Sequence, residues 1–146
     1  MSTSETIANP PVAQLADRQA HVKATVLLAE DDAAVRRYLE VILRRAGYAV
    51  VSATNGLEAL RLALTSTVDA VVTDALMPHL SGHELCRHLR ARPELARVPI
   101  IILSGLDQTN AAPRADEHAD ARLTKPVRPE EFTDCIARLL ATRDGV

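Results

Sequence analysis

The stretch Thr25-Val26-Leu27-Leu28-Ala29-Glu30-Asp31-Asp32 decides the fold. Its unbroken aliphatic run, with no polar alternation, suits a parallel strand buried on both faces. The run then stops at three consecutive acids. Downstream, Ala49-Val50-Val51, Ala70-Val71-Val72-Thr73, Ile100-Ile101-Ile102-Leu103 and Arg122-Leu123-Thr124 read as four more strands. Val98-Pro99 leads into the fourth, at a position where a proline is tolerated.

Helical patterns fill the gaps. The first has Asp32 as candidate N-cap, places Val35, Leu39, Ile42 and Ala46 on one stripe, and stops at Gly47. A second runs through Leu57–Leu64 and a third from about Gly82 to Arg90. The last opens near Pro129 and sets Phe132, Ile136, Leu139 and Leu140 at helical spacing. The segment Leu106–Ala119 is weaker, because it contains Pro113 and offers mainly alanines as apolar positions. It predicts a short fourth helix from near Pro113, after a loop through Asp107–Ala112. Five rounds of strand and helix predict a three-layer α/β domain with a mostly parallel sheet.

Outward from this region, residues 1–24 are polar, proline-broken and non-periodic, and read as a flexible N-terminal extension with a weak helix near Val12–Gln19. The domain occupies 25–143 and a tail 144–146. A chain of 146 residues fits one domain with a real core. With one Phe and no Trp, that core is aliphatic. A net charge of −2 favours neither nucleic acid nor an anionic membrane as partner. Arg36-Arg37 and Arg44-Arg45 read as solvated helix faces. No apolar run approaches the roughly 20 residues of a membrane helix, and the N-terminus does not read as a secretory signal. Cys86 and Cys135 lack CxxC spacing, so they read as packing thiols of a reduced, cytoplasmic chain.

In an open α/β sheet, ligands bind outside the carboxyl ends of the strands, at the topological switch point. Here those ends carry Glu30-Asp31-Asp32, Asp74, Ser104 and Lys125-Pro126. Carboxylates about 4 Å apart repel by roughly 4 kcal/mol per pair at an effective dielectric near 20. They stay together only with a compensating cation or a raised pKa. Hard oxygen ligands suit Mg²⁺, and a phosphoryl group can lie between such an ion and a lysine, with a carboxylate as nucleophile. Asp32 serves equally well as helix cap or metal ligand on this reading. His79 and His83 are four apart, but no helix is expected through Pro78-His79, and no third ligand is in view.

These residues resemble those of the response-regulator receiver domain. Glu30-Asp31 follows the first strand; Asp74 is followed by Met77-Pro78 and Gly82; Ser104 and Lys125-Pro126 end the last two strands. The match runs from about Thr25 to Arg143. The resemblance implies a flavodoxin-like fold with strand order 2-1-3-4-5, an architecture for which a receiver is a standard example. It implies Asp74 as phosphoacceptor, Asp31 as direct Mg²⁺ ligand, Glu30 acting through metal-bound water, and the backbone carbonyl of Leu76 as a further ligand. Lys125 and the Ser104 hydroxyl would bind phosphoryl oxygens, and a cis peptide is implied at Lys125-Pro126. It implies a histidine kinase or histidine phosphotransfer protein upstream, and a protein target downstream. It allows a homodimer through the face of the fourth helix, fifth strand and last helix.

Some positions depart from the family's pattern. Arg122 stands where many receivers carry Phe or Tyr, Val127 replaces the aromatic that often follows Lys-Pro, and Gly105 follows Ser104. Phosphorylation would then reach the output face by loop ordering rather than ring rotation. Leu76 and Leu106 occupy the positions that influence the attacking water, and being apolar they predict a long-lived aspartyl phosphate with slow autodephosphorylation.

A phosphorylation-independent pseudo-receiver is the alternative from the binding class. A haloacid-dehalogenase-type phosphohydrolase needs a second aspartate where Leu76 stands, and no glycine-rich phosphate loop supports a kinase. The chain therefore reads as a switch rather than an enzyme. With three residues after the last helix the chain reads as a stand-alone regulator acting by protein contact, although a piece of a longer kinase or regulator would look identical.

Overall fold

The computed structural model describes residues 22–105 and 118–144. In chain order these form β1 (Thr25–Ala29), α1 (Ala33–Arg45), β2 (Ala49–Ala53), α2 (Gly56–Thr65), β3 (Ala70–Asp74), α3 (Gly82–Arg90), a 3₁₀ turn (Pro93–Leu95), β4 (Ile100–Ser104), β5 (Ala121–Thr124) and α4 (Pro129–Asp144). The five strands form one parallel sheet in the order β2-β1-β3-β4-β5. This is the flavodoxin-like order. The loop Asp107–Ala112, the short helix near Pro113, Leu106, and residues 1–21 of the predicted extension lie outside the described residues.

The continuous apolar runs are explained by burial on both sides. Val26, Leu28, Val72, Ile101 and Leu103 face Leu39 and Leu43 of α1 and Phe132, Ile136 and Leu140 of α4. Leu27, Ala29, Val71, Ile100 and Ile102 face Ala59 and Ala63 of α2 and Leu85 and Leu89 of α3. Every residue of β3 and β4 is buried, whereas four of the five residues of the edge strand β2 are only half-buried. Cys86 and Cys135 are buried, one in each layer.

The helix ends follow their local chemistry. Asp32 caps α1, its Oδ1 accepting from the Ala34 N–H at 2.9 Å and the Val35 N–H at 3.0 Å. Of the two readings of Asp32, the cap is the one this geometry displays. Gly47 closes α1 at φ +99°, a conformation that glycine alone adopts readily. Ser81 and Glu84 form a reciprocal capping box at the start of α3. Lys23 and Ala24, assigned from sequence to the extension, are tied to the turn after α1: the Lys23 N–H donates to Gly47 O, and the Ala49 N–H to Ala24 O, both at 2.9 Å.

At the amino ends of the strands, Arg90 holds three connections together. Its guanidinium donates to the carbonyls of Ala96, Val98 and His118 and pairs with Asp120 at 2.8 Å. Asp120 in turn accepts from the Ile100 N–H at 2.8 Å. This clip fixes the entries to β4 and β5, and through them the register that delivers Ser104 and Lys125 to the opposite edge.

Candidate functional site

All five strands run in the same direction, so their carboxyl ends share one edge. β1 ends one residue before Glu30, β3 ends on Asp74, β4 on Ser104, and β5 one residue before Lys125. β1 and β3 are neighbours whose chains leave toward opposite faces of the sheet, and the crevice at such a switch point is where ligands bind in this architecture.

The charged groups converge there. The Lys125 ammonium lies 3.0 Å from Glu30 Oε1 and 3.0 Å from Asp74 Oδ2. Glu30 is only 1% exposed, Asp74 is buried, and Asp31 is exposed at the mouth. One carboxylate oxygen from each of Glu30, Asp31 and Asp74 lies within 4.8 Å of the others. The Lys125-Pro126 peptide is cis.

Burial raises the Glu30 carboxyl pKa; the Lys125 hydrogen bond opposes this, and the charge on Asp74 adds to it. Burial alone would lower the Lys125 pKa, but its bonds to Glu30 and Asp74 outweigh that and raise it. Lys125 is therefore a firmly held cation.

Glu30 is pinned at four atoms. Oε1 takes the Lys125 bond, Oε2 accepts from the Asp32 N–H at 3.2 Å, its own N–H donates to Ala53 O at 3.1 Å, and its carbonyl accepts from Arg36 Nη1 at 2.9 Å. Arg36 was expected to lie on a solvated face. In the structure Arg36 is half-buried and bound to a backbone carbonyl, whereas Arg37 is exposed; helical spacing puts Arg36 at the flank of the apolar stripe and Arg37 opposite it, but does not reveal the carbonyl.

Ser104 is fully buried, and among the described residues its hydroxyl finds no hydrogen-bond partner. Such a group costs about 1–3 kcal/mol unless something completes it. At Asp74 the backbone is packed against α3: a Cβ on Gly82 would lie 2.2 Å from the Asp74 carbonyl oxygen, and the Gly82 N–H donates to Ala75 O at 2.9 Å. Gly82 is thus required by close approach. The Thr73 hydroxyl donates to the same Asp74 carbonyl at 3.0 Å.

Leu76 lies at the rim and is 57% exposed. Arg122 pairs with Ile102 across the β4–β5 ladder, two residues before Thr124 reaches Ser104, and Gly105 follows directly. His79 occupies a turn at φ +73° and His83 lies in α3; neither belongs to a cluster of metal-ligating side chains among the described residues.

Three carboxylates against one ammonium leave an excess of two negative charges when all are ionised. A divalent cation with hard-oxygen preference fits that donor set, and Mg²⁺ typically takes few carboxylates and keeps its waters. The unsatisfied Ser104 hydroxyl and the Lys125 ammonium are donors that suit an anion. A donor set that suits both a cation and an oxyanion is what phosphoryl transfer requires.

The sequence agrees with this geometry. Residues 26–137 match the model of the response regulator receiver domain. The chain is 39% identical over 117 residues to the response regulator MprA of Mycobacterium sp. strain KMS, covering 80% of this chain and 49% of that protein. It is 33% identical over 125 residues to the two-component response regulator ORR6 of Oryza sativa subsp. japonica, covering 83% and 74%. Among solved structures, the receiver domain of Francisella response regulator 1452 superposes with a TM-score of 0.75 at 31% identity, over 83% of this chain and 99% of that one. The receiver domain of sensor histidine kinase PA1611 from Pseudomonas aeruginosa, solved with a magnesium ion coordinated in its active-site cleft, gives 0.70 at 30% identity, over 81% and 98%.

A doubly wound α/β domain with this acid–lysine edge defines a class of signalling switch. Within it, the chain belongs to the response regulator receiver domain family, and is a receiver domain of two-component signalling. The chain spans about half the length of several curated relatives it matches, 48% to 50%. Among the described residues no helix is long and apolar enough to cross a membrane.

Proposed function

We infer that this receiver is a phosphoacceptor switch in which Asp74 takes a phosphoryl group from a histidine kinase or histidine phosphotransfer protein. One observation carries the reading: Asp74 sits at the switch point, 3.0 Å from a cation that a second, buried acid also holds. A carboxylate oxygen of Asp74 attacks phosphorus, the P–N bond of the donor phosphohistidine breaks, and the imidazole leaves. Lys125, already oriented, passes from the Asp74 carboxylate to a phosphoryl oxygen. The Ser104 hydroxyl donates to another, which would complete the hydrogen bonding of a group otherwise buried without a partner among the described residues.

Asp31, Asp74 and the backbone carbonyl of Leu76 would hold Mg²⁺, with Glu30 acting through a bound water. The ion supplies positive charge that lets phosphoryl oxygens lie among carboxylates. Glu30 has a second task on this reading, since it holds the Lys125 ammonium at the depth of Asp74. The magnesium-containing PA1611 receiver, a relative at 30% identity, supports the assignment.

Arg122 takes the position of the inward-swinging aromatic, Val127 that of the aromatic after Lys-Pro, and Gly105 follows Ser104, so the output signal passes to a protein partner by loop ordering rather than ring rotation. The other reading is a pseudo-receiver that binds its partner without phosphorylation. Intact-mass spectrometry after incubation with Mg²⁺ and a small phosphodonor separates the two. One added phosphoryl group, dependent on Mg²⁺, supports the switch. No adduct, under conditions that label a control receiver, supports the pseudo-receiver.

A further inference from the structure

Asp31 lies between two peptide groups that are both fixed from outside. The peptide following it is held at the Asp32 N–H, which donates to Glu30 Oε2 at 3.2 Å. The peptide preceding it is held at the Glu30 carbonyl, which accepts from Arg36 Nη1 at 2.9 Å. The β1 ladder ends at Ala29 and its last bond to β2 is made by the Glu30 N–H, so among the described residues the donor that orients the Glu30 carbonyl is Arg36. Arg36 reaches it from the first turns of α1, a helix whose start is itself fixed by the Asp32 cap.

We propose that Arg36 is a positioning residue for the metal pocket: by holding the Glu30 carbonyl it sets the direction in which the exposed Asp31 carboxylate points. The inference rests on the reading of Asp31 as a cation ligand. Its physical content is a sign. Arg36 is also a positive charge near the acidic edge, close enough to help hold the Glu58 carboxyl below its usual range. A cation there repels Mg²⁺, so if charge were its only effect, removing Arg36 would tighten Mg²⁺ binding. If Arg36 orients Asp31, removing it loosens a ligand and weakens binding. The two effects oppose each other, and the measured sign separates them. A guanidinium suits the task because its rigid planar fork fixes a carbonyl direction better than a flexible ammonium does.

The test is a Mg²⁺ titration of wild type, Arg36→Met and Arg36→Lys, followed by the backbone amide resonances of Asp31 and Asp32. Methionine keeps helix propensity and the apolar stem while removing charge and donor. The expected result is Mg²⁺ binding about ten-fold weaker in Arg36→Met, the lower end of what loss of a ligand-orienting partner costs. The metal-free Asp31 and Asp32 resonances should shift while those of Leu89 and Leu95, in the core layer on the other face of the sheet, stay in place. Arg36→Lys, with charge retained and one donor available, should recover part of the loss. Wild-type or tighter binding in Arg36→Met overturns the proposal. Should that variant not fold, Arg36→Lys decides: weaker binding at unchanged charge supports the proposal, and wild-type binding overturns it. If the wild type binds no Mg²⁺, the metal reading of the pocket fails and this inference falls with it.

Discussion

Lys125 and Glu30 are 95 residues apart in sequence and 3.0 Å apart in the fold, the ammonium of one closing over the almost fully buried carboxylate of the other. The contact joins the carboxyl ends of β1 and β5, which are not neighbours in the sheet, and Asp74 lies on the same ammonium between them.

Removing the lysine leaves Glu30 without its cation in a place water barely reaches. Lys125→Ala is expected to lower stability by about 2–3 kcal/mol in Mg²⁺-free buffer, from a buried charged group losing its partner. Added Mg²⁺ should restore part of that loss. Urea unfolding with and without Mg²⁺ measures both, and equal stability of variant and wild type in chelator would show that the pair holds nothing together.

Gly82 leaves no space between α3 and the backbone of Asp74. Gly82→Ala forces a Cβ to within 2.2 Å of the Asp74 carbonyl oxygen unless helix or strand moves. The expected cost is about 1–3 kcal/mol, the range for overpacking a tight contact. On the proposed function, phosphorylation of the folded fraction should slow as well, since the displaced residue would be the phosphoacceptor. A variant that melts and reacts as the wild type does would contradict the close packing described here.

The start of α2 supplies a pH signature. The Glu58 carboxyl lies below its usual pKa because it accepts from the Thr54 N–H at 2.6 Å and the Thr54 hydroxyl at 3.0 Å; Arg61 and Arg36 add to this. A lowered folded-state pKa stabilises above the unfolded value, near 4.5, and that contribution disappears as pH falls through the folded value. Glu58→Gln should therefore melt below wild type at pH 7, with the gap closing in the acidic range. A gap that stays constant down to pH 2 would rule out ionisation as its cause.

Leu76 stands exposed at the rim and cannot orient a water. Leu76→Asn is expected to shorten the lifetime of the phosphorylated form several-fold, about 1 kcal/mol in barrier for one water-directing hydrogen bond. The decay of the intact-mass adduct after removal of donor measures it. An unchanged half-life would remove this residue from the control of dephosphorylation.

Much of the fold was legible because its signals are local and redundant. The unbroken runs at Val26, Val71 and Ile101 told of strands covered on both faces, and Asp32, Gly47 and Pro129 marked helix ends to within a residue. The convergence of Glu30, Asp31, Asp74, Ser104 and Lys125 followed from topology, since residues at the carboxyl ends of parallel strands share an edge. Arg36 was not legible. Helical spacing sets Arg36 at the flank of the apolar stripe and Arg37 opposite it, but only the backbone path after β1 decides that Arg36 finds a carbonyl to bind. The Arg90 clip escaped for the same reason, as three of its four partners are backbone carbonyls with no side-chain signature.

The central claim is that Asp74 accepts the phosphoryl group, and trapping the product tests it most directly. After reaction with a small phosphodonor and Mg²⁺, borohydride reduces an acyl phosphate and converts the modified aspartate to homoserine, which peptide mass mapping locates. Homoserine at position 74, absent from Asp74→Ala and from a reaction run in chelator, is the predicted result. Modification at Asp31 or Asp32 instead, or undiminished labelling of Asp74→Ala, would contradict it.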